Sequence, residues 1–207
     1  MIQLNNLSFF YDKNKVILEH SNFTFEAGMR YALRGVNGIG KTTLIKLLLG
    51  LLAPNSGSID YPANVTISYL PDSNGIYEYL TVLQNIQFRL GIYNIPFVQS
   101  KDEVGNLLKL FDILDYQNDI VSKLSTGTKK KVAIICSLVV NANILILDEP
   151  TMGLDFASKQ KLMDLLLEGQ PLDSMVICIT HDEDWLANEN FKAITIQDKE
   201  VKPCSFS

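Results

Sequence analysis

The sequence predicts an α/β fold with an N-terminal antiparallel β region and an inserted helical subdomain. Three observations carry that expectation. Residues 2–35 divide into strand-like runs, IQLNNLSFFY, KVILEH, NFTFEAG and MRYALRG, separated by Asp, Asn and Gly turn signals. From Thr81 to Val140 the apolar residues recur at helical spacing, as in LTVLQNIQFRLGIY and EVGNLLKLFDIL. Ile144–Asp148 (ILILD) and Met175–Thr180 (MVICIT) are short, β-branched runs of the kind that form parallel strands buried on both faces.

The remaining elements follow in chain order. After the fourth run comes a glycine-rich loop, GVNGIGKTT at Gly35–Thr43, and Thr42–Leu49 is apolar enough for a buried helix that Gly50 and Pro54 stop. Short strands are expected at Gly57–Tyr61 and Val65–Leu70, before the helical stretch. A helix at Ser158–Glu168 joins the two late strands, and IQDKEVKP supplies strand character near the end of the sequence, leaving no room for an added regulatory domain.

Composition narrows the function. With 207 residues, 47% of them hydrophobic, the chain has enough apolar surface for a sizeable core. A net charge of −5 and a pI near 5.0 argue against a nucleic-acid partner, which calls for a basic face. The longest apolar run, LIKLLLGLLA at Leu44–Ala53, is broken by Lys46 and Gly50 and falls short of the roughly eighteen residues of a membrane span. The N-terminus lacks the basic and apolar regions of a signal peptide. Cys136, Cys178 and Cys204 have no metal-ligand spacing, and the first two read as buried small hydrophobes in a protein of the reducing cytosol.

The chemistry is concentrated in a few short stretches. GVNGIGKT fits the phosphate-binding pattern G-x-x-x-x-G-K-[ST], with a strand before it and a helix after it. Gly35, Gly38 and Gly40, with Asn37 between them, let backbone N–H groups approach phosphate oxygens, and the helix N-terminus adds partial positive charge. Lys41 reaches the β- and γ-phosphates of a nucleotide, Thr42 offers a hydroxyl to Mg²⁺, and Thr43 completes the loop. ILILDEP ends a strand in adjacent carboxylates: Asp148 is expected to hold Mg²⁺ and Glu149 to act as general base on water. His181, one of two histidines, follows the last buried strand, either as a γ-phosphate contact or as a histidine merely satisfied at a strand end. His20 reads as structural.

A second small-residue loop, LSTGTKKKV at Leu124–Val132, also looks built for an anion. Ser125 offers a hydroxyl and Gly127 an amide at a helix N-terminus. Lys129, Lys130 and Lys131 oppose that helix's dipole, so they either draw in a phosphate or point into water.

Taken in order, GVNGIGKTT, LSTGTKKKV, ILILDEPTMGLD and CITHD resemble the ATP-binding subunits of the ATP-binding cassette (ABC) transporter family across nearly the whole chain. The resemblance implies a P-loop NTPase fold with an ABC-type ATPase core, in a single domain 1–207. Residues 1–72 and 141–207 would form the catalytic core and 73–140 the helical subdomain. It implies ATP and Mg²⁺ as cofactors, and a homodimer or heterodimer in which LSTGT closes over the ATP of the partner subunit. It also places Asp155 of TMGLD at the dimer seam and Tyr11 of LSFFYD against adenine, although an aromatic in a strand also packs in cores. A separate transmembrane permease subunit would recruit the chain to the cytoplasmic face of the membrane. The stretch after Asp72, with Tyr77, Tyr79, Phe88, Tyr93 and Phe97, would be the docking surface.

One position departs from the family pattern. ISYLPD places Asp72 where a glutamine is usual, and Gln84 lies too far along to substitute. An aspartate offers oxygen to a metal but is shorter, charged and unable to donate. With the lean signature loop, it points to export rather than import. Two rival readings fit parts of the sequence. A non-transport ABC ATPase acting on nucleic acid or ribosomes usually carries a coiled-coil insertion or tandem cassettes, neither of which is present. A P-loop kinase leaves LSTGT and TMGLD without a purpose.

Overall fold

The computed structural model describes residues 1–12, 14–168 and 174–204, apart from the side chain of Leu186. Two sheets organise these residues. Strands β1 (Ile2–Phe10), β2 (Val16–Phe25) and β4 (Ser56–Asp60) form an antiparallel sheet in the order β2-β1-β4. The larger sheet has the order β5-β6-β7-β3-β8-β9, built from β3 (Arg30–Arg34), β5 (Ile67–Leu70), β6 (Ile144–Asp148), β7 (Met175–Ile179), β8 (Lys192–Gln197) and β9 (Glu200–Pro203). All its pairings are parallel except β8 with β9.

KVILEH and NFTFEAG, expected as separate strands, are one strand, β2. Its pairing with β1 shifts register three times, and His20, with a positive φ of 51°, and Asn6 of β1, with 49°, lie in two of those shifts, their side chains 3.0 Å apart. Side chains satisfy the interrupted ladder: the His20 N–H donates to Ser8 Oγ at 2.9 Å and the Asn6 N–H to Asn22 Oδ1 at 2.8 Å. The strand character expected of IQDKEVKP belongs to a hairpin between β8 and β9, turned by Asp198 and Lys199 with φ of 51° and 63°.

The central strands of the large sheet, β6, β7 and β3, are buried on both faces, and alternate side chains serve different cores. Ile144, Ile146, Ile177 and Leu33 pack with Leu44, Ile45 and the antiparallel sheet, while Leu145, Leu147, Val176 and Ala32 pack with the helices on the other side. Helix α1 (Lys41–Leu48) belongs to the first core; α2 (Val82–Ile92), α3 (Phe97–Leu110) and α4 (Thr126–Leu138) contribute to the second, with α5 (Phe156–Glu168). Helix α4 is tied to the sheet by Ser68 Oγ, which donates to the Ser137 carbonyl at 2.7 Å.

Local chemistry accounts for the helix ends. Thr81 and Gln84 form a reciprocal capping box at the start of α2, which gives Gln84 a structural task. Arg30 donates to the Leu166 and Leu167 carbonyls near the end of α5 at 2.6 and 2.7 Å. Cys136 and Cys178 are buried as expected, and burial pushes the Cys136 thiol up to about 12. No helix among the described residues is long and apolar enough to cross a membrane.

Candidate functional site

Four parallel strands end on one edge of the sheet: β3 runs into Gly35, β5 into Asp72, β6 into Asp148 and Glu149, and β7 into His181. That edge is where open α/β sheets present their ligands. It opens into a cleft of about 450 Å³ lined by Asn37, Gly38, Gly40, Lys41, Thr42, Thr43, Asp72, Asp148, Glu149 and His181, with Tyr11, Lys15, Ile17 and Ile179 closing its sides.

The glycine loop owes its shape to its backbone. Gly40 has φ 115°, and a side chain there would collide with Ile17 of β2, so the close approach of loop and strand excludes any Cβ. The first helical hydrogen bond of α1 runs from the Leu44 N–H to the Gly40 carbonyl at 2.8 Å, so the amides of Lys41, Thr42 and Thr43 have no acceptor within the helix. Lys41 Nζ donates to the Gly35 and Val36 carbonyls at 2.6 and 3.3 Å, which holds the ammonium over the loop. Free amides, a helix N-terminus and an ammonium make an anion cradle.

Negative charge faces that cradle. Burial first, then Asp72 and Glu149, push the Asp148 carboxyl up to about 6, and Lys130 and Lys41 pull it back. Tyr69, beneath the same strand ends, is pushed up to about 12 by burial and by Asp148 and Asp72. Glu149 sits at φ 48°, an unusual conformation for a non-glycine residue, held by its N–H bond to the Ile179 carbonyl at 2.9 Å.

The donor set around Thr42, Asp72 and Asp148 is all oxygen, which suits a hard divalent cation. Among the described residues no group of three His, Cys, Asp or Glu side chains could hold a metal unaided. The arrangement therefore fits an ion that enters with phosphate oxygens rather than one caged by protein alone.

Tyr11 places its hydroxyl 3.1 Å from Thr43 Oγ1, stacks edge-on against Phe9 at 5.0 Å, and lies under Lys15 Nζ at 5.2 Å from the ring centroid. Its ring is thus at the cleft and also packed. Ser125, Gly127 and Asp155 are elsewhere and do not line the cleft. Ser125 caps α4, accepting from the Thr128 N–H at 3.1 Å. Asp155 accepts from the Ser158 N–H at 2.8 Å at the start of α5 and pairs with Lys131 at 3.3 Å. A Cβ on Gly127 would lie 3.0 Å from the Gly153 carbonyl oxygen, so LSTGT and TMGLD pack against each other.

The lysine run divides three ways. Lys129 Nζ reaches Glu78 Oε1 at 2.8 Å and Lys131 reaches Asp155, whereas Lys130 is buried at 2% exposure. Neither sequence alternative, water or a phosphate, describes Lys130. Helical spacing held no signal that separates the three, because Val132, Ala133, Ile134 and Ile135 are all buried, so each lysine has buried residues three and four positions on. Sequence reasoning also passed over Lys15, Ile17 and Tyr69. The alternation of ISYL marks Tyr69 as facing away from Leu70, but Lys15 and Ile17 reach the cleft only because the β1–β2 hairpin packs against the glycine loop, far along the chain.

A parallel sheet with such a cradle after its central strand is the construction of a P-loop NTPase. The family described as ABC transporter matches residues 18–152, and the chain belongs to that family. It is an ATP-binding subunit with an ATPase domain. The chain is 33% identical over 206 residues to the SkfA peptide export ATP-binding protein SkfE of Bacillus subtilis (strain 168), covering 96% of this chain and 86% of the relative. It is 31% identical over 182 residues to the zinc import ATP-binding protein ZnuC of Buchnera aphidicola, covering 87% of this chain and 74% of that one. The names record transport in opposite directions. Other curated relatives are longer, the chain spanning 37% of their length. A solved dimeric ATP-binding cassette in a post-hydrolysis state, bound to ADP and phosphate, superposes with a TM-score of 0.80 at 23% identity, covering 100% of this chain and 99% of that one. That likeness shows the fold.

Proposed function

We propose that two cassettes close head to tail around two ATP–Mg²⁺ and reopen after hydrolysis, so driving a separate transmembrane permease from the cytoplasmic face of the membrane. One observation carries this reading: Lys41, Asp148, Glu149 and His181 line one cleft, while Ser125, Gly127 and Asp155 stand outside it. A second anion-binding loop that does not serve its own cleft is accounted for by a partner's. One chain holding both halves is sufficient for a homodimer with two equivalent sites; pairing with a different cassette uses the same parts. Residues 1–72 and 141–207 act as the catalytic core and 73–140 as the helical subdomain.

In this reading Gly35, Asn37, Gly38, Gly40 and Thr43 shape the phosphate loop, and Lys41 neutralises the β- and γ-phosphates. Tyr11 stacks on the adenine. Thr42 and Asp148 would hold Mg²⁺, with Asp72 beside them, and the ion supplies charge neutralisation on the phosphates. Glu149 takes the proton of the attacking water, and His181 holds the γ-phosphate oxygen and that water in line. Across the seam, Ser125 and Gly127 of one subunit meet the γ-phosphate in the other, and Asp155 lies between them.

The permease docks beside Asp72. A groove of about 290 Å³ there is lined by Tyr77, Phe88, Arg89 and Ile92, among others. Tyr77 and Tyr79 are 40% and 74% exposed, and Tyr77 stacks on Phe88 at 4.9 Å. Tyr93, by contrast, donates to the Ile67 carbonyl at 2.7 Å, and Phe97 packs against the core, so neither ring is free for a partner. Export is the proposed direction, on the lean signature loop and Asp72, and the similarity to a peptide-export protein supports it.

The test is the oligomeric mass of Glu149→Gln with and without ATP–Mg²⁺, repeated with Ser125→Arg added. ATP is expected to produce a dimer only while Ser125 is intact. A dimer that forms equally well with Ser125→Arg removes the trans-acting role of LSTGT.

A further inference from the structure

The ring of His181 gains little hold from its nearest carboxylate. Its Nε2 stands 3.5 Å from Glu149 Oε1, beyond good hydrogen-bond length, and the side chain is more than half exposed. The turn that carries the ring is fixed one residue later. The Asp182 N–H donates to Thr180 Oγ1 at 3.0 Å, closing the backbone around His181, and Lys159 Nζ donates to Asp182 Oδ2 at 2.8 Å. Asp182 occupies the capping position of a four-residue helix, α6 (Glu183–Leu186), where an aspartate ordinarily accepts from the helix's own amides. Its side chain makes no such bond and turns to Lys159 instead. Lys159 is equally unexplained by local rules, since it stands in the first turn of α5, where the helix dipole disfavours a cation. The pair also differs from those on the open surface: the Asp182 side chain is 10% exposed, whereas Lys192 with Glu26 and Lys199 with Glu19 are about half exposed at both ends. Water competes less for so enclosed a carboxylate, so the pair fixes a geometry that open pairs do not.

We infer that Lys159 is a positioning residue for His181, which it holds over the cleft through Asp182. The inference rests on the proposed role of His181 at the γ-phosphate. Lys159, Asp182, His181 and Glu149 line one hollow of about 550 Å³ that adjoins the nucleotide cleft and shares Asp72, Glu149 and His181 with it. An imidazole that must meet a phosphate oxygen and a water in line tolerates little displacement, since an error of about 1 Å costs about 10²-fold in rate. Lys159 supplies the constraint that the ring's own contact with Glu149 does not. Its N–H donates to the Asp155 carbonyl at 3.0 Å, so the ion pair spans from the TMGLD loop to the His181 turn.

A mutant cycle with His181 provides the test. ATP turnover is measured for Lys159→Met, for His181→Ala and for the two together, with thermal unfolding recorded in parallel. Lys159→Met is expected to lower kcat about tenfold while the KM for ATP stays within about twofold, because nucleotide binding lies with Lys41 and the phosphate loop. Lys159→Arg keeps a cation within reach of Asp182 and is expected to recover most of the loss. In the His181→Ala background, Lys159→Met is expected to cost little more, since the residue it positions is already gone. A lysine that serves stability alone lowers the rate by the same factor whether or not His181 is present. Asp182→Asn, which weakens the same pair, replaces Lys159→Met if the latter does not fold. An unchanged kcat in Lys159→Met, or equal losses in the two backgrounds, overturns the inference and leaves the role of His181 standing. Native turnover from His181→Ala overturns that role itself, and this inference with it.

Discussion

His181 Nε2 stands 3.5 Å from Glu149 Oε1, and the two residues leave the ends of adjacent parallel strands. The Glu149 N–H is bonded to the carbonyl of Ile179, two residues before His181, so one hydrogen bond registers both side chains over the cleft. If Glu149 is the base and His181 orients the water, Glu149→Gln lowers ATP hydrolysis by about 10²-fold or more, and His181→Ala lowers it in the same direction. Both retain nucleotide binding. Phosphate release and equilibrium binding, measured together, check this; a native rate from His181→Ala refutes its role.

Asp148 gives a pH dependence. Its carboxyl is raised from 3.8 to about 6, chiefly by burial and then by Asp72 and Glu149. A raised pKa means that its contribution to the stability of the nucleotide-free chain is fully present below 3.8 and lost as pH rises through about 6. Binding Mg²⁺ below that pH must displace a proton. Apparent Mg²⁺ affinity is therefore expected to climb with pH up to about 6 and level off above it. Asp148→Asn flattens this profile, as a Mg²⁺ titration at several pH values will show.

Asp155 has the opposite sign. Its hydrogen bonds with Ser158, and then Lys131, lower its carboxyl to about 2, so its contribution to stability is present above 3.8 and lost as pH falls through about 2. At neutral pH, Asp155→Ala removes the cap of α5 at a cost of about 1 kcal/mol, or about 2–4 °C in unfolding temperature. Asp155→Asn keeps a capping oxygen and loses only the attraction to Lys131, so thermal unfolding should place it between the two.

Tyr77→Ala with Tyr79→Ala tests the docking groove. Both rings are exposed on the helical side, and neither lines the cleft that holds Lys41. ATP hydrolysis by the isolated double variant is expected to stay within about twofold of native, because truncating exposed side chains rarely disturbs a fold. Association with membranes containing the permease should be lost. Retention on those membranes, measured by sedimentation, removes this surface from the docking account.

The elements were legible because each carries its own periodicity. ILILD and MVICI are continuous apolar runs, and such runs read as strands covered on both sides whatever their neighbours are. GVNGIGKT is legible for a different reason: only glycine tolerates the backbone at Gly38 and Gly40, with φ of 84° and 115°, so the motif survives as a string. The merging of two runs into β2 was not legible, because the positive φ at His20 depends on Asn6 across the ladder.

By itself the sequence determined the α/β class, the phosphate loop and the order of the motifs, since these follow from local conformational preference and spacing. Only the tertiary structure decided which residues share a cleft. It drew Asp72, Asp148, Glu149 and His181 from three strands to one sheet edge, left Ser125, Gly127 and Asp155 outside, and buried Lys130 between two lysines that reach exposed carboxylates. The physical reason is that electrostatic and hydrogen-bonding partners are chosen by distance in space, and strand order, which sets that distance here, is written in no local stretch of the chain.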